Sequence, residues 1–227
     1  MQDGGTKKRA PALAFFRVNC YTGEKGGDGV KVYLADCAKL TERELSAYLA
    51  ALPPGRRAYA ARFKKETDRA TAVIGFLLVS RMLRDADPGF VPTDWAIGEH
   101  GKPYLPGSDL HFSLSHADGL CAAVLSNRPI GLDVELIRPL RQALIPRFCT
   151  PDEIERCKAD PDLAVKIWTQ REARAKENGR GIGQKLTVLP TAGTTSLKVK
   201  SGGRAFWLSF TAEEPAETVV LSPAELL

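Results

Sequence analysis

The chain of 227 residues has no long apolar run, no Cys-x-x-Cys pair and only 7% aromatic residues, and each shortage closes off a class of explanation. Its longest apolar stretch, around Val73 to Val79, falls far short of the roughly 20 residues a membrane-spanning helix needs. Cys20, Cys37, Cys121, Cys149 and Cys157 are odd in number and scattered, so neither a disulfide framework nor a zinc finger follows from their spacing. A reducing, cytoplasmic setting fits that usage. Lys7-Lys8-Arg9 begins like a signal peptide, but the apolar part ends at Arg17 and no small-residue cleavage site follows. Residues 1–28, closing on a glycine-rich stretch from Gly23, read as a mobile N-terminal extension. No aromatic-basic signature of RNA binding is visible, which disfavours nucleic acid as a partner.

A hydrophobic fraction of 44% with 26% charged residues suits a globular protein, and the net charge of +5 invites an anionic partner. Val30 to Ala35 is the first strand candidate. Thr41 and Glu44 form a capping box ahead of a helix that Pro53-Pro54 stops. A longer helix is expected from about Glu66 to Arg84, with Ala70, Val73, Ile74, Leu77 and Leu78 on one stripe. Short strands are expected at Trp95 to Ile97, Leu110 to Leu114, Leu120 to Leu125 and Ile130 to Leu136. Thr150 with Glu153 is a second capping box, Asp160-Pro161 starts a further helix that Gly179 and Gly181 end, and Gly202-Gly203 turns a hairpin between Ser196 to Lys200 and Ala205 to Phe210. Strand, helices, strands, then the same again predicts two similar α+β lobes, residues 29–129 and 130–227, meeting near Pro129.

In Gly131-Leu132-Asp133-Val134-Glu135 the two-residue period of a strand puts Asp133 and Glu135 on one face. Side by side, two carboxylates repel unless one is protonated or a cation lies between them; at ~4 Å and an effective dielectric of about 20 the cost is ~4 kcal/mol. A hard divalent ion such as Mg2+ takes oxygen ligands of this kind. On the helix around Trp168, Glu172 and Lys176 stand one turn apart, and Glu172 borders the apolar stripe of Ala164, Ile167, Trp168 and Ala175, a position suited to a third ligand. Lys102 in Gly101-Lys102-Pro103, and Ser115 and His116 in Phe112 to His116, can donate to phosphate. Arg56, Arg57 and Arg62 add guanidinium groups on a short helix. Taken singly, each motif reads equally as a solvated face, a helix-surface pair or a core residue.

Their order and spacing together resemble the Sfp-type 4'-phosphopantetheinyl transferases, over roughly Leu52 to Ile182. The matching parts are Arg56 to Phe63, Asp68-Arg69, Gly75 with Arg81, Gly101-Lys102-Pro103, Phe112 to His116, Gly131 to Glu135, and Trp168 through Lys176 to Gly181. The resemblance implies a fold of two similar α+β lobes related by a pseudo-twofold axis, with coenzyme A in the cleft between them. It implies Asp133, Glu135 and Glu172 as magnesium ligands, Glu172 also as the base for an incoming serine, and Lys176 as the holder of the pyrophosphate. Lys102, Ser115 and His116 become coenzyme A contacts, with Arg56 near the 3'-phosphate. The implied partner is an apo acyl or peptidyl carrier protein, served by a cytoplasmic monomer. Four positions depart from the pattern: Ser113 replaces an asparagine, Ala117 a serine, Arg171 a lysine, and Thr71 an arginine. A non-catalytic module that binds coenzyme A or a nucleotide on the same scaffold is the alternative reading.

Overall fold

The computed structural model describes residues 30–91, 95–179, 185–213 and 216–227. The N-terminal extension, Cys20 and Gly181 lie outside the described residues. The fold mixes helices and strands throughout. In chain order it runs β1 (Val30–Asp36), α1 (Glu42–Ala51), α2 (Pro54–Ala60), α3 (Glu66–Ala86), β2 (Ala96–Ile97), β3 (Pro103–Tyr104), β4 (His111–Ala117), β5 (Leu120–Ser126), β6 (Leu132–Leu136), α4 (Pro151–Ala159), α5 (Pro161–Glu177), β7 (Thr195–Ser201), β8 (Arg204–Phe210) and β9 (Ala216–Leu221).

Both capping boxes form: the side chains of Thr41 and Thr150 accept from the amides of Glu44 and Glu153, whose carboxylates reach back to the cap amides. Leu52 ends α1 and Pro54 begins α2, so the proline pair separates two helices; proline suits the first helical turn, where its missing amide hydrogen would have had no helical partner.

The larger sheet has the order β4-β5-β1-β9, and a smaller one the order β6-β8-β7. One face of the larger sheet, carrying Tyr33, Phe112, Cys121 and Leu125, packs on α3 through Ile74, Phe76 and Leu78. The opposite face presents Val32, Leu34, Ala122 and Val124 to Leu132, Val134, Phe206 and Leu208 of the smaller sheet. Each fully buried aliphatic or aromatic side chain in these layers contributes ~1.5–3 kcal/mol over its exposed state. The far side of the smaller sheet is covered by α5, giving an α-β-β-α stack. Cys37, Cys121, Cys149 and Cys157 are free thiols, all buried.

The tail crosses back over the expected boundary at Pro129. β9 pairs in parallel with β1, from Val30 opposite Ala216 to Ala35 opposite Leu221. Beyond it a 3-10 turn, Pro223–Leu226, docks on α3, where Arg81 and Arg84 donate to the carbonyls of Glu225 and Leu226 at 2.6 and 2.8 Å. Residues after 130 therefore complete the larger sheet as well as the smaller one. No helix among the described residues is long and apolar enough to cross a membrane.

Candidate active site

Antiparallel pairing sets Asp133 opposite Ser209 and Glu135 opposite Trp207, so both carboxylates leave β6 on the face that α5 covers. The approach of α5 depends on Gly131. A Cβ added there would collide with the carbonyl oxygen of Ala173 and the amide of Glu177, so only glycine lets the helix lie this close to the start of β6. Farther along α5, Thr169 Oγ1 meets Ser209 Oγ at 2.8 Å in a fully buried contact that fixes the helix over the strand.

Three groups then converge. Lys176 Nζ donates to Asp133 Oδ1 at 2.7 Å and to Ser115 Oγ at 2.8 Å, and the Ser115 hydroxyl donates to the same Asp133 oxygen at 2.8 Å. The second Asp133 oxygen and Glu172 Oε1 are buried without a hydrogen-bond partner among the described residues. Glu135 Oε1 accepts from the Trp168 indole at 3.2 Å.

Burial and the neighbouring Asp133 charge push the Glu172 carboxyl up to about 7, against the downward pull of Lys176. Burial first, then Asp133, also raises Glu135, with the Trp168 bond and Lys176 opposing. These are the signs of carboxylates packed with too little positive charge between them. No group of three His, Cys, Asp or Glu side chains among the described residues is arranged as a metal cage. The donor chemistry nevertheless fits a hard cation, because the second Asp133 oxygen and Glu172 Oε1 are buried with no proton donor to satisfy them.

The other expected contacts divide. Gly101, at φ +84°, turns the β2-β3 hairpin and delivers Lys102 inward. Lys102 Nζ donates to the carbonyls of Ile130 and Glu177 at 3.1 Å each, tying the hairpin to the start of β6 and the end of α5, and burial lowers its pKa. Burial, with the Lys176 charge next, also lowers His116. A cavity of about 250 Å³ opens beside Glu172, lined among others by His100, Lys102, Phe112, Leu114 and Lys176.

Two of the expected groups are engaged within the protein itself. Arg56 is buried with its guanidinium 3.8 Å from the Trp95 ring centroid and 5.5 Å from that of Phe76; it shares the Tyr59 ring with Arg62, at 5.7 and 5.9 Å, whereas Arg57 donates to the Leu52 carbonyl. A guanidinium enclosed by aromatic faces is held by cation–π attraction rather than offered to solvent. Ser115, expected to donate to phosphate, spends its only hydroxyl proton on Asp133. Ser113, to which no site role was given, accepts the Leu132 amide at 3.0 Å.

The sequence model of the 4'-phosphopantetheinyl transferase superfamily matches residues 129–218, the stretch that carries Asp133, Glu135, Glu172 and Lys176. The chain is 28% identical over 152 residues to a 4'-phosphopantetheinyl transferase of Bacillus subtilis, covering 63% of this chain and 67% of that protein. It is 25% identical over 150 residues to 4'-phosphopantetheinyl transferase Sfp of Bacillus subtilis (strain 168), with the same coverage of 63% and 67%. To enterobactin synthase component D of Escherichia coli (strain K12) it is 38% identical over 85 residues, 37% of this chain and 40% of the other.

Proposed function

We propose that this chain, which belongs to the 4'-phosphopantetheinyl transferase superfamily, moves the phosphopantetheine arm of coenzyme A onto a serine hydroxyl of an apo acyl or peptidyl carrier protein. The observation that carries this reading is the buried Glu172 carboxyl, unpartnered and pushed up to about 7, beside the Lys176–Asp133 pair.

In this reading Glu172 takes the proton of the carrier serine, and a group poised near 7 is well placed to hold it at neutral pH. The serine oxygen forms a bond to the β-phosphorus of coenzyme A in line with the bond that breaks. That electron pair leaves on the bridging oxygen with 3',5'-ADP. Lys176, anchored by Asp133 and Ser115, offers its charge to the pyrophosphate as negative charge builds on the leaving group. Asp133, Glu135 and Glu172 would hold Mg2+, which when bound supplies Lewis-acid neutralisation of the pyrophosphate.

Coenzyme A would lie where the two sheets approach, with residues 29–129, joined by the returning β9, as one lobe and the rest of 130–227 as the other. The cavity supports this, since its lining comes from the His100 to Pro103 turn and β4 on one side and from α5 on the other. Lys102 and His116 would border the phosphates. A basic chain of net charge +5 suits an acidic carrier protein, and the protein would act as a cytoplasmic monomer.

Incubation with an apo carrier protein, coenzyme A and Mg2+, followed by mass spectrometry of the carrier, tests the proposal. One added phosphopantetheine per carrier supports it. Bound coenzyme A with an unchanged carrier mass would instead identify a non-catalytic binding module.

A further inference from the structure

β4 ends the larger sheet and β6 ends the smaller one, and these two edge strands face one another without sharing a sheet. An edge strand leaves every second amide without a backbone partner, and a buried amide left that way costs ~1–3 kcal/mol. Here the outward amides of β6 are met by side chains. Ser113 Oγ accepts the Leu132 amide at 3.0 Å, and Ser115 Oγ accepts the Val134 amide at 3.4 Å.

The two serines are two residues apart on β4 and their amides two apart on β6, so both hydroxyls project from one face of one strand onto one edge of the other. Both serines are buried, at 4% and 5% exposure, among apolar side chains of the layer between the sheets. Asp133 is the residue between the two tethered amides. Ser115 has no capacity left over: its proton goes to Asp133, and its two lone pairs face the Val134 amide and the Lys176 ammonium.

We propose that Ser113 and Ser115 form a two-hydroxyl seam that sets the register of β6 against β4 and so positions Asp133 and Lys176 for transfer. Both act as positioning residues, through the Leu132 and Val134 amides and, for Ser115, through Asp133 and Lys176. A slip of one residue along the seam would turn Asp133 to the opposite face of the strand. The role in transfer rests on the transferase reading above; the role in register does not.

Ser113 is the cleaner test because it touches neither Asp133 nor Lys176. Ser113→Ala is compared with Ser113→Thr and Ser113→Asn, each of which retains an oxygen acceptor, by steady-state transfer kinetics and by amide hydrogen exchange. The expected result for Ser113→Ala is a kcat lower by about tenfold, with KM for coenzyme A within about twofold of wild type, because misplacement by a fraction of an ångström acts on chemistry more than on binding. Exchange at the Leu132 amide should quicken by about tenfold or more, and at least one of the Thr and Asn variants should restore both readouts. Should Ser113→Ala fail to fold, Ser113→Cys, similar in size with a weak acceptor, replaces it with the same expectations.

Unchanged exchange at Leu132, an unchanged kcat, or failure of both Thr and Asn to restore would each overturn the seam. A wild-type chain that transfers nothing would overturn the transferase reading instead, and the exchange measurements would still decide the register.

Discussion

Lys176 and Asp133, 43 residues apart, form a 2.7 Å ion pair in which the aspartate is almost wholly buried and the lysine about one-third exposed. The pair brings α5 and β6 together at the point where Glu172 stands with a buried, unpartnered oxygen. Several consequences of that crowding can be measured.

Glu172 should impose a pH dependence on stability when divalent ions are chelated. Its folded value, about 7, lies above its ordinary 4.5, so the fold favours the protonated form. That stabilisation is complete below about pH 4.5 and is lost as pH rises through about 7. Melting curves of the wild type and Glu172→Gln should therefore converge at low pH and diverge toward pH 8 to the disadvantage of the wild type. Added Mg2+ should narrow the gap. Parallel melting profiles across that range would contradict the assignment.

At Gly131 even one methyl group is excluded, because the neighbouring atoms are backbone and cannot rotate away. Gly131→Ala should displace α5 from β6, cost ~2–4 kcal/mol in urea or thermal unfolding, and abolish transfer. A variant with wild-type stability would show that the helix does not need this close approach.

Glu153 links helix capping to a buried ion pair. Burial alone would raise its carboxyl, but bonds from Arg171 and from the Thr150 amide hold it below its ordinary range. Its contribution is thus present above about pH 4.5 and lost as pH falls through the lowered folded value. Glu153→Gln should flatten the acid limb of the stability profile. Arg171→Ala, which strands the carboxylate, should cost ~3–5 kcal/mol at pH 7.

Arg56 is held by the rings of Trp95, Phe76 and Tyr59. Arg56→Ala should lower unfolding free energy by ~1–3 kcal/mol through lost packing and cation–π contact, with KM for coenzyme A altered by less than about twofold. A large rise in KM with unchanged melting would instead show a direct phosphate contact.

What could be read from the sequence was local. The Thr41–Glu44 and Thr150–Glu153 caps, the Gly202-Gly203 hairpin and the shared face of Asp133 and Glu135 all depend on neighbours within a few residues, where periodicity and turn chemistry speak directly. Features built from distant partners were hidden. Nothing near Ala216 to Leu221 signals a parallel partner at Val30 to Ala35, and parallel pairing requires a long crossover that leaves no local trace. Arg56 read as an open guanidinium because Trp95 lies 39 residues away. Ser113 read as a mere departure from pattern because the amide it accepts is 19 residues off, and only the meeting of two edge strands gives its hydroxyl a task.

The most direct test of the account is a single-turnover transfer assay at saturating coenzyme A and Mg2+, wild type against Glu172→Gln, with coenzyme A affinity measured on both. The wild type should load the apo carrier protein and release one 3',5'-ADP per carrier. The variant should bind coenzyme A comparably yet transfer at least about 100-fold more slowly, the loss of a positioned general base. Equal rates in the two proteins would remove Glu172 from the chemistry and contradict the mechanism.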